Sequence, residues 1–306
     1  MISIFGKTQA HGDFVKVNTG APIVGALAQW LVDGVQLLRQ SRLALPEAPV
    51  GFLFANSAHR EVLVGAFVSS QDKVGRAFPL AIFTTVDPTL AANSFQLIPR
   101  IYDGFLNDAV NILTTSAGMT VDALAAQANL LRIPGHAELA QAQNECIFEF
   151  NMLTMAEFQM QFGGAEQGSH YYAFHALLKA CQPLTRQPPP TTGVVTLECP
   201  LLSSTMCTGW LEMTRHLLQW SSPPSFFWTS SPPQRLLLSL GDPAPAVLKY
   251  IAGADSNAAK LWPLQTTSAA AIASAHQALP PDLLAAINNP NGNLNQLLAV
   301  IANQVR

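Results

Sequence analysis

The chain opens on an apolar run, Ile2 to Phe5, that stops at Gly6 and reads as a short strand. Polar and small residues then fill positions 7–20, which reads as a loop. From Val24 the apolar positions recur at three and four residues: Leu27, Trp30, Leu31, Val35, Leu38. That spacing predicts an amphipathic helix running to about Arg42 and stopped before Pro46. Apolar runs at 50–55, 61–69 and 78–86 predict three strands. Asn56-Ser57-Ala58-His59 is a good turn between the first two. Helical spacing returns at 95–113 and 121–131, with Thr120 placed to cap the second helix. Strands joined by short turns pair antiparallel. Residues 1–135 therefore predict an α+β unit, an antiparallel sheet flanked by helices. Its order is longin- or profilin-like: strand, helix, three strands, two helices.

Residues 136–275 predict a second α/β lobe packed on the first. Positions 146–152 and 157–162 suggest two short strands or one broken segment, and 171–180 a helix that ends before Pro188-Pro189-Pro190. A strand is expected at 192–199, a helix at 209–220, and a strand pair at 225–229 and 235–240 turning through Ser230-Ser231-Pro232-Pro233. A short helix follows at 245–251. Residues 276–306 form a C-terminal helical extension whose second helix carries the stripe Leu294, Leu297, Leu298, Ile301, Val305. No strong internal repeat is visible.

Composition narrows the class. The 306 residues are 49% hydrophobic and only 11% charged, where about 25% is usual. Disorder is excluded by that hydrophobicity. Lys and Arg number 16 against 19 Asp and Glu, a net charge of −3. Such a balance argues against a general nucleic-acid binder or an anionic-membrane binder. Positions 1–14 lack the pattern of a secretory leader, and no apolar window is long enough for a membrane span. Cys146, Cys181, Cys199 and Cys207 form no C-x-x-C pair and no zinc-spaced cluster. They read as reduced, buried thiols of a cytoplasmic protein. So low a charge also suits a surface partly covered by a partner or by a second copy of the chain.

Catalytic signatures are missing. No nucleophile elbow, phosphate-binding loop, dinucleotide fingerprint or H-E-x-x-H motif occurs. His170 and His175 lie five apart, off a common helix face. Glu145, Glu149, Glu157 and Glu166 are scattered over several predicted elements. No metal site and no cofactor is expected. Two segments stand out. Gly6, Lys7, His11, Gly12, Asp13 and Phe14 form a charged, glycine-bearing loop straight after the first strand. Asp72, Lys73, Gly75, Arg76 and Pro79 join two apolar strands. Such loops either lock to one another through a carboxylate–guanidinium pair, Asp13 or Asp72 with Arg76, or face a partner. A hydrolytic or small-ligand module would instead bring Lys7, His11, Asp13 and Arg76 around one cavity.

Both segments resemble those of the TagF (ImpM) family of type VI secretion accessory proteins. Members carry G-K-x-P-x-x-G-D-F after the first strand, as in Gly6-Lys7-Thr8-Gln9-Ala10-His11-Gly12-Asp13-Phe14. A helix with a Trp-Leu pair ends in Ser-Arg, here Trp30-Leu31 and Ser41-Arg42. The third match is Ser70-Gln71-Asp72-Lys73-Val74-Gly75-Arg76-Ala77-Phe78-Pro79-Leu80. Phe226-Phe227-Trp228 and Arg235-Leu236-Leu237 are similar to the distal half. Gln9 and Ser69 stand where prolines are usual, and Val50-Gly51-Phe52 lacks the family's aromatic anchor. The resemblance implies a non-enzymatic cytoplasmic regulator that represses assembly of the secretion machine after translation. It implies binding to the forkhead-associated scaffold protein and a link to its threonine kinase and phosphatase pair. A structural subunit of the machine is the other protein–protein reading.

Overall fold

The computed structural model describes residues 1–160, 162, 168–229, 234–253 and 259–304. The expected turn at 230–233, Glu166 and Val305 lie outside these residues. Among the described residues, nine strands form one sheet: β1 (Ile2–Gly6), β2 (Val15–Val17), β3 (Val50–Phe54), β4 (Leu63–Val68), β5 (Leu80–Thr85), β6 (Thr196–Pro200), β7 (Ser225–Thr229), β8 (Arg235–Ser239) and β9 (Leu261–Pro263). Their spatial order is β2-β1-β5-β4-β3-β7-β8-β6-β9. All pairings are antiparallel except that of β6 with β9. The sheet thus crosses position 135 without a break, because β3 pairs with β7, Leu53 facing Phe226 and Val50 facing Thr229.

Helices cover both faces, so the central strands are apolar on both sides rather than alternating. All of β4 is buried, its Leu63 and Phe67 facing one core and Val64, Ala66 and Val68 the other. The first face carries α1 (Pro22–Gln40), which packs Trp30 flat on Phe227 with ring centres 4.9 Å apart. The remaining helices run in chain order as α2 (Pro88–Ser94), α3 (Ile98–Ile101), α4 (Asp103–Thr115), α5 (Val121–Ala128), α6 (His136–Met152), α7 (Met155–Met160), α8 (Ser169–Cys181), α9 (Ser204–Leu218), α10 (Val247–Ile251), α11 (Ala269–Ala278), α12 (Pro281–Ile287) and α13 (Leu294–Asn303). Of these, α10 joins α1 on the first face. The core of the opposite face takes side chains from α4, α6, α8, α9 and the C-terminal α12 and α13. The stripe Leu294, Leu297, Leu298, Ile301 is buried there, with α13 against α9. Thr120 caps α5 as expected, its hydroxyl accepting from the Ala123 N–H at 3.2 Å.

Several expectations change. Residues 146–152 and 157–160, expected within two short strands or one broken segment, are helical, in α6 and α7. The cluster Cys146-Ile147-Phe148 looks strand-like because α6 carries apolar residues on its outward side too. The single helix expected at 95–113 is a 3-10 turn at Phe95–Leu97 followed by α3 and α4. Pro99 lacks the N–H that a continuous helix needs at that point. The helix expected at 209–220 starts earlier, where Ser203 caps it by accepting from the Met206 N–H at 3.1 Å. Three residues of the expected 7–20 loop form β2 on the edge of the sheet.

The two halves share a topology. In the first, β1, α1, β4 and β5 run strand, helix, strand, strand, and β5 returns antiparallel beside β1. In the second, β6, α9, β7 and β8 do the same, with β8 beside β6. Their helices lie on opposite faces of the sheet. A two-fold rotation about β3, along the strand direction, relates the two arrangements. Six antiparallel steps separate β1 from β6, so both strands point the same way. Gly51 of β3 faces Trp228 of β7, and a Cβ there would come within 2.4 Å of the indole. An aromatic absent from β3 in sequence is thus present in space, supplied by the neighbouring strand.

Candidate functional site

The charged loops meet beyond the ends of β1, β4 and β5. Asp72 is at their centre, its side chain 0% exposed. Lys7 Nζ donates to Asp72 Oδ2 at 2.8 Å, and Arg76 Nε donates to the same oxygen at 2.6 Å. The other carboxylate oxygen accepts from the backbone N–H of Arg76 at 2.8 Å and of Val74 at 3.1 Å. A residue that accepts from N–H groups two and four positions on folds its own turn. Backbone bonds at the neck, Asp72 N–H to Arg76 O and Phe78 N–H to Ser70 O, tie the turn to the strands. Gly75 supplies the positive φ of +84° at its tip.

The first loop is pinned to the second. Lys73 N–H donates to His11 O at 3.1 Å, and Arg76 Nη2 to Gly12 O at 2.8 Å. From α1, Arg39 Nη2 donates to Ala77 O at 2.9 Å. Gly6 has φ +143°, and a Cβ on it would lie 2.1 Å from Pro79 O. Only glycine lets β1 turn into the loop this close to the buried Pro79. Phe14 stacks on Phe5 at 5.3 Å and meets Phe78 edge-on at 4.8 Å. Lys7 Nζ also stands 5.1 Å from the Phe14 ring centre, a cation over a π face.

Electrostatics follow from this geometry. Burial works against the charge on Asp72 and is the largest single influence. Hydrogen bonds from Lys7, from the Arg76 N–H and guanidinium and from Val74 outweigh it. Together they hold the carboxyl well below its usual range. Asp72, not Asp13, is therefore the partner of Arg76. Asp13 is exposed and accepts from its neighbour, the Phe14 N–H, at 2.7 Å. His11 Nδ1 lies 3.2 Å from the Asp13 nitrogen, also on the surface. Lys7 and Arg76 converge on Asp72, while His11 and Asp13 are exposed. The second cation on Asp72 is what sequence reasoning missed. Lys7 lies 65 positions from Asp72, and no local spacing signals such a pair.

The outer side of this assembly is a knob. Val74 is 71% exposed, and Lys73, Gly75 and Arg76 are exposed around it. Arg76 keeps 58% of its side chain in water even while it pairs with Asp72. Among the described residues, no group of three or more His, Cys, Asp or Glu is placed to hold a metal ion. No helix among them is long and apolar enough to cross a membrane.

Residues 3–133 match the model of the TagF N-terminal domain, described as type VI secretion system-associated. These residues thus carry a TagF N-terminal domain. Both TagF-like loops and strands β1–β5 fall in the matched segment, apart from Ile2 at the start of β1. Among solved structures, the crystal structure of PA0076 from Pseudomonas aeruginosa PAO1 is similar. It matches at 25% sequence identity over 44% of this chain, with a TM-score of 0.37. The match takes in 64% of that chain, under two thirds of its length. No curated protein matches.

Proposed function

We propose that this chain is a non-enzymatic cytoplasmic regulator that restrains assembly of the type VI secretion machine by binding the forkhead-associated scaffold. The observation that carries the reading is the rigid knob at 73–76. Its base is frozen by a buried carboxylate shared between two cations, and its tip offers Val74 between Lys73 and Arg76 to solvent. A preformed surface loses little conformational entropy on binding. The same geometry disfavours the hydrolytic alternative. Lys7 is consumed by Asp72, and the imidazole of His11 is held by its own loop.

The test is capture of the purified scaffold on the immobilised chain, beside secretion-sheath counts in cells that overproduce the chain. The reading expects capture, fewer assembled sheaths, and loss of both in a Lys73→Glu, Val74→Asp variant whose melting temperature is unchanged. It is overturned if the scaffold is not retained by a folded chain. It is also overturned if the chain co-purifies stoichiometrically with assembled particles, the mark of a structural subunit.

A further inference from the structure

The strand ends of the second half that correspond to those below the Asp72 knob border a cleft. Beyond Gly6, Val68 and Leu80 the first half fills its own space with Phe5, Phe14, Phe78 and the Lys7–Asp72 pair. The equivalent residues of the second half are Pro200, Thr229 and Arg235, aligned across the sheet. Beside them lies a cleft of about 450 Å³ bordered by α6 and the start of α9.

Its charge is one-sided. The lining carries Asp103, Glu145 and Glu149 against a single guanidinium, Arg100. Arg100 is already committed: Nη1 donates to Glu149 Oε1 at 2.9 Å, Nη2 to the second oxygen, and Nε to Thr208 Oγ1 at 2.9 Å. Among the described residues, Asp103 and Glu145 accept from neutral amides, those of Asn107 at 3.1 Å and Gln141 at 2.8 Å. Among the described residues no cation pairs with either of them. Apolar side chains stand next to this charge. Phe148 and Met152 share a helix face with Glu145 and Glu149 by their three- and four-residue spacing, and are 67% and 63% exposed. Leu202, 57% exposed, sits between the cleft residues Leu201 and Ser203.

An occupant that satisfies both features carries a cation flanked by apolar groups. Nucleic acid and anionic lipid are repelled by the carboxylates, and a free polyamine leaves the apolar side chains in water. We propose that this face docks a basic amphipathic segment of a partner protein. One Arg or Lys enters the cleft against Asp103 and Glu145, and flanking apolar residues cover Phe148, Met152 and Leu202. The face is distinct from the Asp72 knob, so the proposal does not rest on the regulator reading.

The test is fluorescence anisotropy on the full chain with a labelled amphipathic peptide of leucine and arginine. Its arginine-to-glutamine and leucine-to-serine versions serve as controls, with unlabelled spermine as competitor. The leucine–arginine peptide is expected to bind at least about tenfold tighter than either control, with an affinity that falls as salt rises. Asp103→Asn with Glu145→Gln, or Phe148→Ser alone, should each cost about tenfold. Equal binding of the glutamine version to wild-type chain refutes the proposal, and that comparison needs no variant to fold. Displacement by spermine at the peptide's own concentration refutes it in favour of a small-cation site. Self-association in sedimentation that these substitutions abolish refutes it in favour of a second copy.

Discussion

Gly6→Ala tests the junction between the first strand and the Asp72 assembly. Two costs add. The native φ of +143° lies in a region closed to residues with a Cβ, at a cost of about 1–3 kcal/mol. The new methyl would also sit 2.1 Å from Pro79 O and 2.7 Å from Leu80 Cα, both backbone atoms that cannot swing aside. Relief requires the neck of the 69–79 loop to move, which breaks the Lys7 N–H to Pro79 O bond of 3.4 Å, worth about 0.5–1.5 kcal/mol. The sum is about 1.5–4.5 kcal/mol. With an unfolding entropy of about 2.1 cal/mol/K per residue, the melting temperature should fall by about 2–7 °C. Two other glycines calibrate the result. Gly75 shares the strained sign, φ +84°, but has open space around it, so only the dihedral cost applies. Gly12 has open space and no such φ, so Ala should be tolerated. Differential scanning calorimetry should rank the losses Gly6, then Gly75, then Gly12. A Gly6→Ala melting curve that overlays wild type, or a Gly12→Ala loss of equal size, would refute the reasoning.

Other consequences are as direct. Asp72→Asn leaves Lys7, 9% exposed, without its counter-charge. Adding Lys7→Met should therefore raise the melting temperature above that of the single variant, whereas simply additive losses would contradict a shared buried pair. Because the Asp72 carboxyl is held below its ordinary range, its contribution is complete above about pH 4 and is lost as pH falls further. Wild type should lose more stability than Asp72→Asn in that acid window, and parallel curves would count against it. Burial first, and repulsion from His276 second, lower His170 to about 4. The unfolded chain takes that proton at about 6.5, so stability present above this value drains between there and about pH 4. His170→Gln should flatten the stability curve in that interval. Burial raises all four thiols, Cys146 to about 11 and Cys207 to about 12, with Cys181 and Cys199 also pushed up. Labelling with a disulfide reagent at pH 8 should wait for unfolding, and rapid modification of the native chain would oppose this.

The parts of the fold that could be read in advance are those with local causes. Leu27, Trp30, Leu31 and Val35 show helix α1 because one stripe of it is buried. The runs at 50–55, 61–69 and 78–86 show β3 to β5 because adjacent strands share short connections. Failures come where local pattern and packing diverge. Phe148 and Met152 face outward, which erases the amphipathic period of α6. Three residues, Val15–Val17, are too few to announce a strand. At the site, the Asp72–Arg76 pair is four positions long and was within reach. The pairing of Lys7 with Asp72 and of Phe52 with Phe227 depends on chain separations that no window spans. The two-fold relation of the halves is likewise carried by topology, with helices and strands matched while side chains differ.

Where β3 meets β7, the domain that the family match delimits ends in sequence but not in hydrogen bonds. A fragment cut after residue 133 would keep β1 to β5 and lose β7. Its last strand, Val50-Gly51-Phe52-Leu53-Phe54, would then present an unpaired, uncharged, apolar edge to water. Such an edge is a template for strand addition and aggregation. A soluble stand-alone version of the matched domain therefore has to cover this edge, with a segment of its own or with another chain. In this protein residues 225–229 are that cover.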